Sequence, residues 1–311
     1  MKYYFIINPI SGNDYKKIEL EEKIKNYFYD CNYTIYRTKC ESDATRYVES
    51  IIQEEDINEE KRFIACGGDG TISEVATGLI NSKNTSLAIL PCGTGNDYIK
   101  YFGKKEDFLS KKYLENIKVK KTIAVDICKV KYNDIIFYSM NVINFGFDAT
   151  VCDIMNKIKK YPIIGGKNAY YSGIIIALFH SIITKSEIII DGEIFFNDSL
   201  ILCTIANGSF VGGSFKCAPK SKNDDNLLEV CIIKPFSRLL FPKMMPIYIK
   251  GEHLESKIMK KYVLYKRANK ITIINHNKNS NAMLFTIDGN MHKANKLELT
   301  NYNKAINFVS I

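Results

Sequence analysis

Residues 63–75 read FIACGGDGTISEV, an apolar run that leads into a glycine-rich loop and then into a helical pattern. A short apolar run that ends in glycines predicts a buried strand, and the pattern over residues 72–80 predicts a helix. Glycine lets the loop between them approach a ligand closely, and main-chain amides at a helix N-terminus bind phosphate oxygens well. The segment therefore predicts a strand–loop–helix unit that suits a phosphate group.

The same alternation of strand and helix covers the first 122 residues. The predicted strands are residues 3–7, 33–36, 62–66 and 87–91, and the predicted helices are residues 14–29, a segment from about 42, and 72–80. This order of elements is typical of a parallel sheet covered by helices. We expect residues 1–122 to form an α/β domain.

From residue 123 the pattern changes to strands joined by short polar turns. The predicted strands are residues 123–130, 135–142, a segment from 188, and 200–206, with turns at Asn133-Asp134, Asp191-Gly192 and Asn197-Asp198. An Asp-Gly pair between apolar strands favours a hairpin, so we expect residues 123–296 to form a mostly antiparallel β-sandwich. Two helices, over residues 170–183 and 237–250, interrupt it. Residues 297–311 predict a strand, which the pattern alone assigns to neither domain.

Three glycine-bearing loops each follow a strand of the first domain: Asn8–Gly12, Gly67–Thr71 and Gly93–Asp97. The carboxyl ends of parallel strands meet at one edge of a sheet, where ligands bind, so the three loops should converge. Together they have the features of a nucleoside triphosphate site. An acidic side chain among phosphates requires a cation, so Asp69 and Asp97 point to Mg²⁺ or to a substrate hydroxyl.

Two of these loops also allow purely structural interpretations. Thr71 and Glu74 have the spacing of a capping box, in which both residues would start a helix. Asn96 or Asp97 could likewise be the N-cap of a short helix over residues 97–102. Neither role excludes contact with phosphate, so both interpretations stay open.

In combination these motifs resemble the catalytic domain of the diacylglycerol kinases, a family of bacterial lipid kinases related to the sphingosine and ceramide kinases. The resemblance covers nearly the whole chain. The matching segments, in order, are Asn8–Gly12, Gly67–Val75, Leu90–Asp97, Asn144–Asp148, Gly212–Pro219 and Asp224–Val230.

The resemblance implies a nucleotide-binding domain like those of phosphofructokinase and NAD kinase, a β-sandwich domain for the lipid substrate, and an active site in the cleft between them. It also implies that the last strand, about residues 297–311, returns to the first domain. Thr38 enters only by its place after the second strand, and Asp97 by its place in the third loop. The implied nucleotide-binding residues are Asn8, Pro9, Ile10, Ser11, Gly12, Thr38, Gly68, Asp69, Gly70, Thr71, Ile72, Ser73, Glu74, Thr94 and Asp97.

The resemblance also implies a structural Mg²⁺ site in the second domain. In bacterial members the matching segment holds the ion through one carboxylate, here Asp225, and through main-chain carbonyls, here those of Lys222 and Leu227. Asn226 stands where the family has glycine. Asparagine also adopts left-handed backbone conformations, so a site built from oxygen donors tolerates the change.

The sequence departs from the family pattern at Asn290. The family has Asp-Gly-Glu where this chain has Asp288-Gly289-Asn290, and that glutamate is the proposed general base for the lipid hydroxyl. Asparagine cannot accept a proton at neutral pH, and loss of a general base costs on the order of 10²- to 10⁴-fold in rate. Phosphoryl transfer depends mainly on positioning and charge neutralisation, so we still expect activity, with Asp288 or Asp69 as the base. Asp288-Gly289 also fits a plain hairpin turn.

These observations favour a lipid kinase that uses ATP and Mg²⁺ to phosphorylate a lipid hydroxyl, with diacylglycerol as the first candidate and phosphatidic acid as its product. One alternative is a non-catalytic nucleotide- or lipid-binding regulator, which Asn290 favours. The other is an NAD kinase, which shares the GGDGT loop. The loops Asn8–Gly12 and Pro91–Asp97 argue against an NAD kinase.

The composition bears on partners and compartment. A net charge of +9 over 311 residues fits an anionic partner such as an acidic membrane face, and fits a generally lysine-rich composition equally well. No zinc, RNP or helix-turn-helix signature indicates nucleic acid.

The sequence predicts a cytoplasmic protein. Its nine cysteines include no CxxC pair, and its N-terminus runs into a strand pattern rather than a signal peptide. The apolar run 173–184 is too short to span a bilayer, so we expect peripheral membrane contact. The sequence leaves the oligomeric state open, a homodimer included.

Overall fold

The strand that precedes the GGDGT loop lies inside a parallel sheet. In the computed structural model, which describes residues 1–12, 14–93, 95–119, 122–158, 183–213, 215–276 and 282–311, the chain divides into two units. One unit comprises Met1–Ile127 with Asn303–Ile311, and the other comprises Cys128–Tyr302. Within the described ranges, no helix is both long and apolar enough to cross a membrane.

The first unit alternates strands and helices as the sequence predicts. Its elements are β1 (Lys2–Ile7), α1 (Asp14–Tyr27), β2 (Tyr33–Arg37), α2 (Asp43–Glu54), β3 (Lys61–Gly67), α3 (Asp69–Gly78), β4 (Thr85–Pro91) and α4 (Lys111–Lys118), with 3-10 helices at Tyr98–Tyr101 and Asp107–Leu109. The strands pair in parallel in the order β2-β1-β3-β4. Every residue of β3 and β4 is buried, which explains the apolar runs over residues 63–66 and 87–91. The predicted parallel sheet is confirmed.

The last strand of the chain, β16 (Lys296–Phe308), contributes its final residues to this first sheet. Phe308 pairs with Leu87 of β4 in parallel, and the Val309 amide donates to the Leu87 carbonyl at 2.8 Å. The Tyr113 hydroxyl of α4 donates to the Val309 carbonyl at 3.2 Å and accepts the Ile89 amide. Residues 303–309 are therefore part of the first unit.

A buried cation holds helix α4 against this sheet. Arg62 of β3 is only 1% exposed, and its Nη1 donates to the carbonyls of Ile117 and Val119 at the end of α4. Its Nε donates to the Ser86 hydroxyl of β4 at 2.9 Å. A cation at a helix C-terminus satisfies the last carbonyls and interacts favourably with the helix dipole. Burial lowers the pKa of the Arg62 guanidinium from its ordinary value.

The second unit is mostly antiparallel β-structure, as predicted. Its elements are β5 (Ile123–Tyr132, which begins in the first unit), β6 (Ile135–Ser139), β7 (Val142–Gly146), α5 (Phe147–Ile158), β8 (Thr184–Ile190), β9 (Glu193–Leu200), β10 (Leu202–Ala206), β11 (Leu228–Ile233), α6 (Phe241–Ile249), β12 (Val263–Ala268), β13 (Lys270–Asn275), β14 (Met283–Ile287), β15 (Asn290–Ala294) and the first part of β16. One sheet has the order β12-β11-β10-β7-β14-β15. In the other, β16 pairs with β13, β13 with β8, and β8 with β9, while β5 joins β16 to β6.

Alternation along the strands sends side chains to two apolar clusters. On β10, Cys203 and Ile205 lie in the core between the two sheets. Leu202 and Ala206 of the same strand lie on the opposite face, where α5 and α6 contribute side chains to a second cluster. Because side chains alternate along a strand, the sheet β12-β11-β10-β7-β14-β15 has apolar clusters on both of its faces.

Two sequence predictions in this unit are wrong. Residues 135–142 do not form one strand, because the chain breaks between β6 and β7, where Ser139–Val142 turns around the Asp288 carboxylate. Asn197-Asp198 is not a turn. These residues lie inside β9 and pair with β8, where the Asn197 amide donates to Glu187. The helix predicted over residues 170–183 falls almost wholly outside the described residues.

Replacing Arg62 with methionine removes the donor for the carbonyls of Ile117 and Val119. A buried polar group without a partner costs roughly 1–3 kcal/mol, so we expect Arg62→Met to lower the free energy of unfolding by at least about 2 kcal/mol. Urea denaturation followed by circular dichroism measures this change. Lys112→Met, at an exposed position of the same helix, is the control and should shift the free energy by no more than about 0.5 kcal/mol. Equal stability of the two variants would contradict the role assigned to Arg62.

Candidate active site

The three glycine-bearing loops meet at the carboxyl ends of β1, β3 and β4. The Asn8 amide, just after β1, donates to the Cys66 carbonyl of β3 at 3.1 Å. The amides of Cys92 and Gly93, just after β4, both donate to the Gly67 carbonyl, at 2.9 and 3.2 Å. The main chain itself therefore brings the three loops together at one sheet edge.

The second and third loops approach each other closely at Gly68 and Gly93. A Cβ atom built on Gly93 would lie 2.6 Å from the Gly68 Cα, a distance that side-chain atoms do not reach without displacing the neighbouring backbone. A Cβ atom on Gly68 would lie 3.6 Å from the Gly93 Cα, which is an ordinary contact. Glycine is therefore required at position 93 for the second and third loops to pass each other at backbone contact.

Asn8 organises the first loop. Its side-chain oxygen accepts the Ile10 amide at 2.9 Å, and its carbonyl accepts the Ser11 amide at 3.1 Å. Its Nδ2 donates to the Thr71 hydroxyl on α3 at 3.1 Å. Asn8 thus fixes the turn that leads to Gly12 and ties this turn to the second loop.

Asp69 is the first residue of α3 and connects it to the third loop. Its Oδ1 accepts the Tyr98 amide at 3.1 Å, and its Oδ2 lies 3.1 Å from the position of a Cβ on Gly95. Asp97 occupies the N-cap position of the 3-10 helix Tyr98–Tyr101, as predicted, but its side chain does not cap the helix. Asp69 supplies the oxygen that accepts the Tyr98 amide. Asn96 instead donates to the Gly67 carbonyl at 2.9 Å, and the Asp97 carboxylate pairs with Lys100.

The capping-box interpretation of Thr71 and Glu74 is also wrong. Helix α3 begins at Asp69 with Gly68 as its N-cap, so Thr71 already lies inside the first turn. The Glu74 carboxylate accepts the amides of Ser42 and Ala44, at 3.0 and 3.2 Å, and so satisfies the N-terminus of α2 instead.

The other predicted nucleotide-binding residues lie around the same edge. Thr38 follows β2, and its amide donates to the Ile7 carbonyl at 3.0 Å. The Ile72 side chain is buried in the core, so only its main chain is available to a ligand, whereas Ile10 is 89% exposed. Thr94 lies outside the described residues. Pro9, Gly70 and Ser73 lie in the first loop and in the first turns of α3.

A lysine that the sequence did not indicate contacts the third loop. The Lys105 Nζ donates to the Gly93 carbonyl at 2.7 Å. This residue lies twelve positions beyond the glycine, in a segment without a recognisable motif, so only the structure reveals the contact. An ammonium group here adds positive charge beside the meeting point of the loops.

In the second unit, Asp288 is the centre of a hydrogen-bonded turn. Its Oδ1 accepts the Ser139 hydroxyl at 2.6 Å and the amides of Asn141 and Val142, and its Oδ2 accepts the Met140 amide at 3.1 Å. Burial raises the pKa of the Asp288 carboxyl above its ordinary value, although these four hydrogen bonds oppose the shift. The carboxylate therefore anchors the turn between β6 and β7.

Asn290 is the first residue of β15, which forms a hairpin with β14. Asp288 and Gly289 have φ values of 46° and 88° between β14 and β15, the left-handed pair of a two-residue hairpin turn. The hairpin predicted for Asp288-Gly289 is confirmed. The Asn290 side chain is exposed.

The predicted Mg²⁺ ligands lie in the loop before β11. The Asp225 Oδ1 accepts the Leu227 amide at 3.1 Å, and its Oδ2 pairs with the Arg267 guanidinium, which also donates to Glu229. A carboxylate offers about four lone-pair sites, so Asp225 can still bind a cation. Together with the carbonyls of Lys222 and Leu227 it supplies the oxygen donors that Mg²⁺ prefers, so these residues fit the ion. In the described part of the chain, no three His, Cys, Asp or Glu side chains form a metal-binding group.

An apolar pocket lies beside the second cluster of this unit. Its cavity volume is about 40 Å³, and aromatic and methionine side chains form much of its wall. Its lining includes Phe147, Leu202, Phe215, Phe241, Met244 and Met259. A pocket of this composition suits a hydrocarbon chain.

Comparison with known proteins gives the same assignment for both units. The chain matches the family model described as the diacylglycerol kinase catalytic domain over residues 2–130, and the one described as the YegS C-terminal NAD kinase beta sandwich-like domain over residues 141–308. A diacylglycerol kinase of Bacillus subtilis (strain 168) is 30% identical over 275 residues, which cover 86% of this chain and 84% of that protein. The probable lipid kinase YegS-like of Enterobacter sp. (strain 638) is 31% identical over 222 residues, 68% of this chain and 70% of that protein.

A solved structure shares the fold. The crystal structure of a diacylglycerol kinase from Bacillus anthracis str. Sterne superimposes with a TM-score of 0.70 at 20% identity, and the match covers 100% of this chain and 97% of that one. With two family models in order along the sequence and a 30% identical relative that spans most of both chains, this protein belongs to the diacylglycerol kinase family of lipid kinases.

Proposed function

We propose that this protein is a lipid kinase that transfers the γ-phosphoryl group of ATP to a lipid hydroxyl, with diacylglycerol as the first candidate and phosphatidic acid as its product. The observation that carries the proposal is the backbone contact of Gly68 with Gly93 beside Asp69, at the start of α3. Amides at a helix N-terminus and in glycine loops bind phosphate without side chains, which leaves the carboxylate to act on the reacting groups.

In the transfer, the bond between the γ-phosphorus and the bridging oxygen of ATP breaks, and a bond to the lipid oxygen forms. ADP takes the electron pair of the broken bond, and the hydroxyl proton leaves to a base or to solvent. The first loop and α3 would hold the phosphates, and the Lys105 ammonium would add positive charge beside them. Positioning and charge neutralisation account for most catalysis in phosphoryl transfer.

Mg²⁺ bound with ATP would supply further charge neutralisation at the phosphates. Asp69 and Asp97 are the carboxylates of the loops that could hold it. Lys222, Asp225 and Leu227 would hold a separate, structural ion that stabilises the loop before β11.

By resemblance to the family, the general base would be a glutamate at the position where this chain has Asn290. Asn290 cannot take a proton, and the Asp288 carboxylate already accepts four hydrogen bonds that hold the Ser139–Val142 turn. We therefore assign Asp288 a positioning role and regard the base position as vacant. Asp69, the first residue of α3 beside the glycine loops, stays the other candidate for the base.

The apolar pocket supports a lipid acceptor, because its aromatic and methionine side chains would contact the hydrocarbon part of the substrate. We further propose that the enzyme is cytoplasmic and meets its substrate at the membrane surface.

Asn290 favours one alternative function, a regulator that binds nucleotide and lipid without turnover. An NAD kinase is disfavoured, because the two relatives described above carry lipid kinase names.

The test is transfer of labelled phosphate from γ-labelled ATP to diacylglycerol, sphingosine and undecaprenol in mixed micelles, with NAD in a parallel assay. We expect a labelled product from diacylglycerol. Label in NAD alone would contradict the proposal, and nucleotide binding without transfer to any acceptor would favour the regulator.

Asp69→Asn separates the charge of this residue from its structural contact. The amide oxygen can still accept the Tyr98 amide, so the fold should persist while the negative charge is lost. We expect kcat to fall at least about 100-fold with an unchanged melting temperature. Asp134→Asn, in a hairpin turn where asparagine is equally suited, is the control. Turnover of Asp69→Asn near that of the parent would exclude a role for this charge.

Gly93→Ala tests the backbone contact. The added methyl would lie 2.6 Å from the Gly68 Cα, so the two loops must separate, and we expect the affinity for ATP to fall at least about tenfold by calorimetry. Gly192→Ala, in a hairpin turn with open space around it, is the control for a strained glycine elsewhere. If both variants bind ATP like the parent, the loops do not form the nucleotide site.

Asn290→Glu tests whether the base position is vacant. A carboxylate there should raise kcat on diacylglycerol at least about tenfold, since it restores part of the general-base contribution. Asp288→Asn is measured beside it. If Asp288 only anchors the turn, this variant loses stability but keeps a measurable kcat. No gain from Asn290→Glu together with complete loss of turnover in a folded Asp288→Asn would instead make Asp288 the base.

A further inference from the structure

The segment Lys234–Lys250, which connects β11 to α6 and includes that helix, has two faces of different character. On its inner face, Phe236, Phe241 and Met244 line the apolar pocket. On its outer face, Leu239 is 88% exposed at the middle of the 3-10 helix Arg238–Leu240. A single exposed leucine is ordinary, so its neighbours decide what it means.

Its neighbours in sequence are all cationic or neutral. The sequence of residues 234–250 contains four basic residues and no aspartate or glutamate. Arg238 and Lys243 are exposed on either side of Leu239, and Lys250 is exposed at the far end of the segment. The four basic residues are Lys234, Arg238, Lys243 and Lys250.

An exposed apolar side chain with basic residues on either side of it in sequence matches the interface of an anionic bilayer. The acyl boundary accepts the leucine, and the lipid phosphates attract the basic groups within a Debye length. Three prolines of the segment, Pro235, Pro242 and Pro246, are exposed as well and add apolar surface at little cost in entropy. A protein partner with an acidic rim is the competing occupant. The bilayer is favoured because the same segment forms the wall of the apolar pocket.

We propose that Lys234–Lys250 is the surface by which this protein docks on an anionic membrane, with Leu239 entering the acyl boundary and the basic residues facing lipid phosphates. The proposal deepens the proposed function, because it states where a kinase with a lipid substrate meets the bilayer. It also assigns two roles to one segment, whose inner face would contact the lipid chain and whose outer face would contact the membrane.

The test is co-sedimentation with vesicles of phosphatidylcholine alone or mixed with phosphatidylglycerol, without ATP or diacylglycerol. We expect the protein to bind the mixed vesicles at least about tenfold more tightly than the neutral ones, and to lose most of this preference in 0.5 M salt, roughly where screening reaches a few ångströms. Leu239→Asp should weaken binding at least about tenfold. Ile194→Ser, which removes another exposed aliphatic side chain of the same unit, is the matched control.

The charge is tested separately. Arg238→Gln with Lys243→Gln should reduce the preference for anionic vesicles at least about tenfold, whereas Lys131→Gln with Lys293→Gln, two exposed lysines elsewhere in the unit, should not. Equal vesicle binding by the parent and Leu239→Asp, or no vesicle binding at all, would overturn the proposal. A parent dimer that Leu239→Asp converts to a monomer in light scattering would also overturn it, in favour of contact between two copies of this chain.

A separate assay distinguishes this proposal from the proposed function. Phosphorylation of a short-chain diacylglycerol dispersed in detergent does not require docking, so Leu239→Asp should match the parent there and fall behind only on vesicles. Docking without phosphorylation of any lipid would leave the surface supported and contradict the kinase.

Discussion

The candidate site depends on one steric constraint, the backbone contact between the loops that follow β3 and β4. The two strands are neighbours in a parallel sheet, so their carboxyl ends lie about one strand spacing apart. Position 93 must be glycine, because a Cβ atom there would collide with the Gly68 backbone of the other loop. The hydrogen bonds of Asp69 and Asn96 then hold these two loops together, and both would be lost if the loops separated. The bond from Asn8 to Thr71 adds the first loop to them.

Local sequence patterns predicted most of the fold, because strands, helices and two-residue turns depend on neighbours in sequence. The Asp-Gly pairs at residues 191–192 and 288–289 form the expected hairpins, and the alternation of β and α gives the expected sheet. The errors arose where a side chain has a partner far away. Glu74 binds amides about 30 residues before it, so the capping-box spacing assigned its carboxylate to the wrong helix. Asp69 binds an amide 29 residues after it, a contact that the sequence did not indicate.

Contacts with partners distant in sequence also change the functional interpretation of acidic residues. A carboxylate in a glycine-rich motif suggests catalysis, yet the Asp288 carboxylate accepts a hydroxyl and three amides around one turn. The sequence could locate the residue but not count its hydrogen bonds. Its partners lie 146 to 149 positions earlier in the chain, and the strand pattern over residues 135–142 concealed the turn that they form.

The return of β16 to the first sheet affects how the protein is made. Residues 303–309 complete a sheet whose other strands lie more than 200 residues earlier in the chain. Val309 donates its amide to Leu87 of β4 and accepts the Tyr113 hydroxyl. Domains generally fold as units while the chain emerges from the ribosome. Here the edge of β4 stays unpaired during synthesis of the whole second unit. That edge can pair with another chain until residues 303–309 are made, since an unpaired strand edge promotes aggregation.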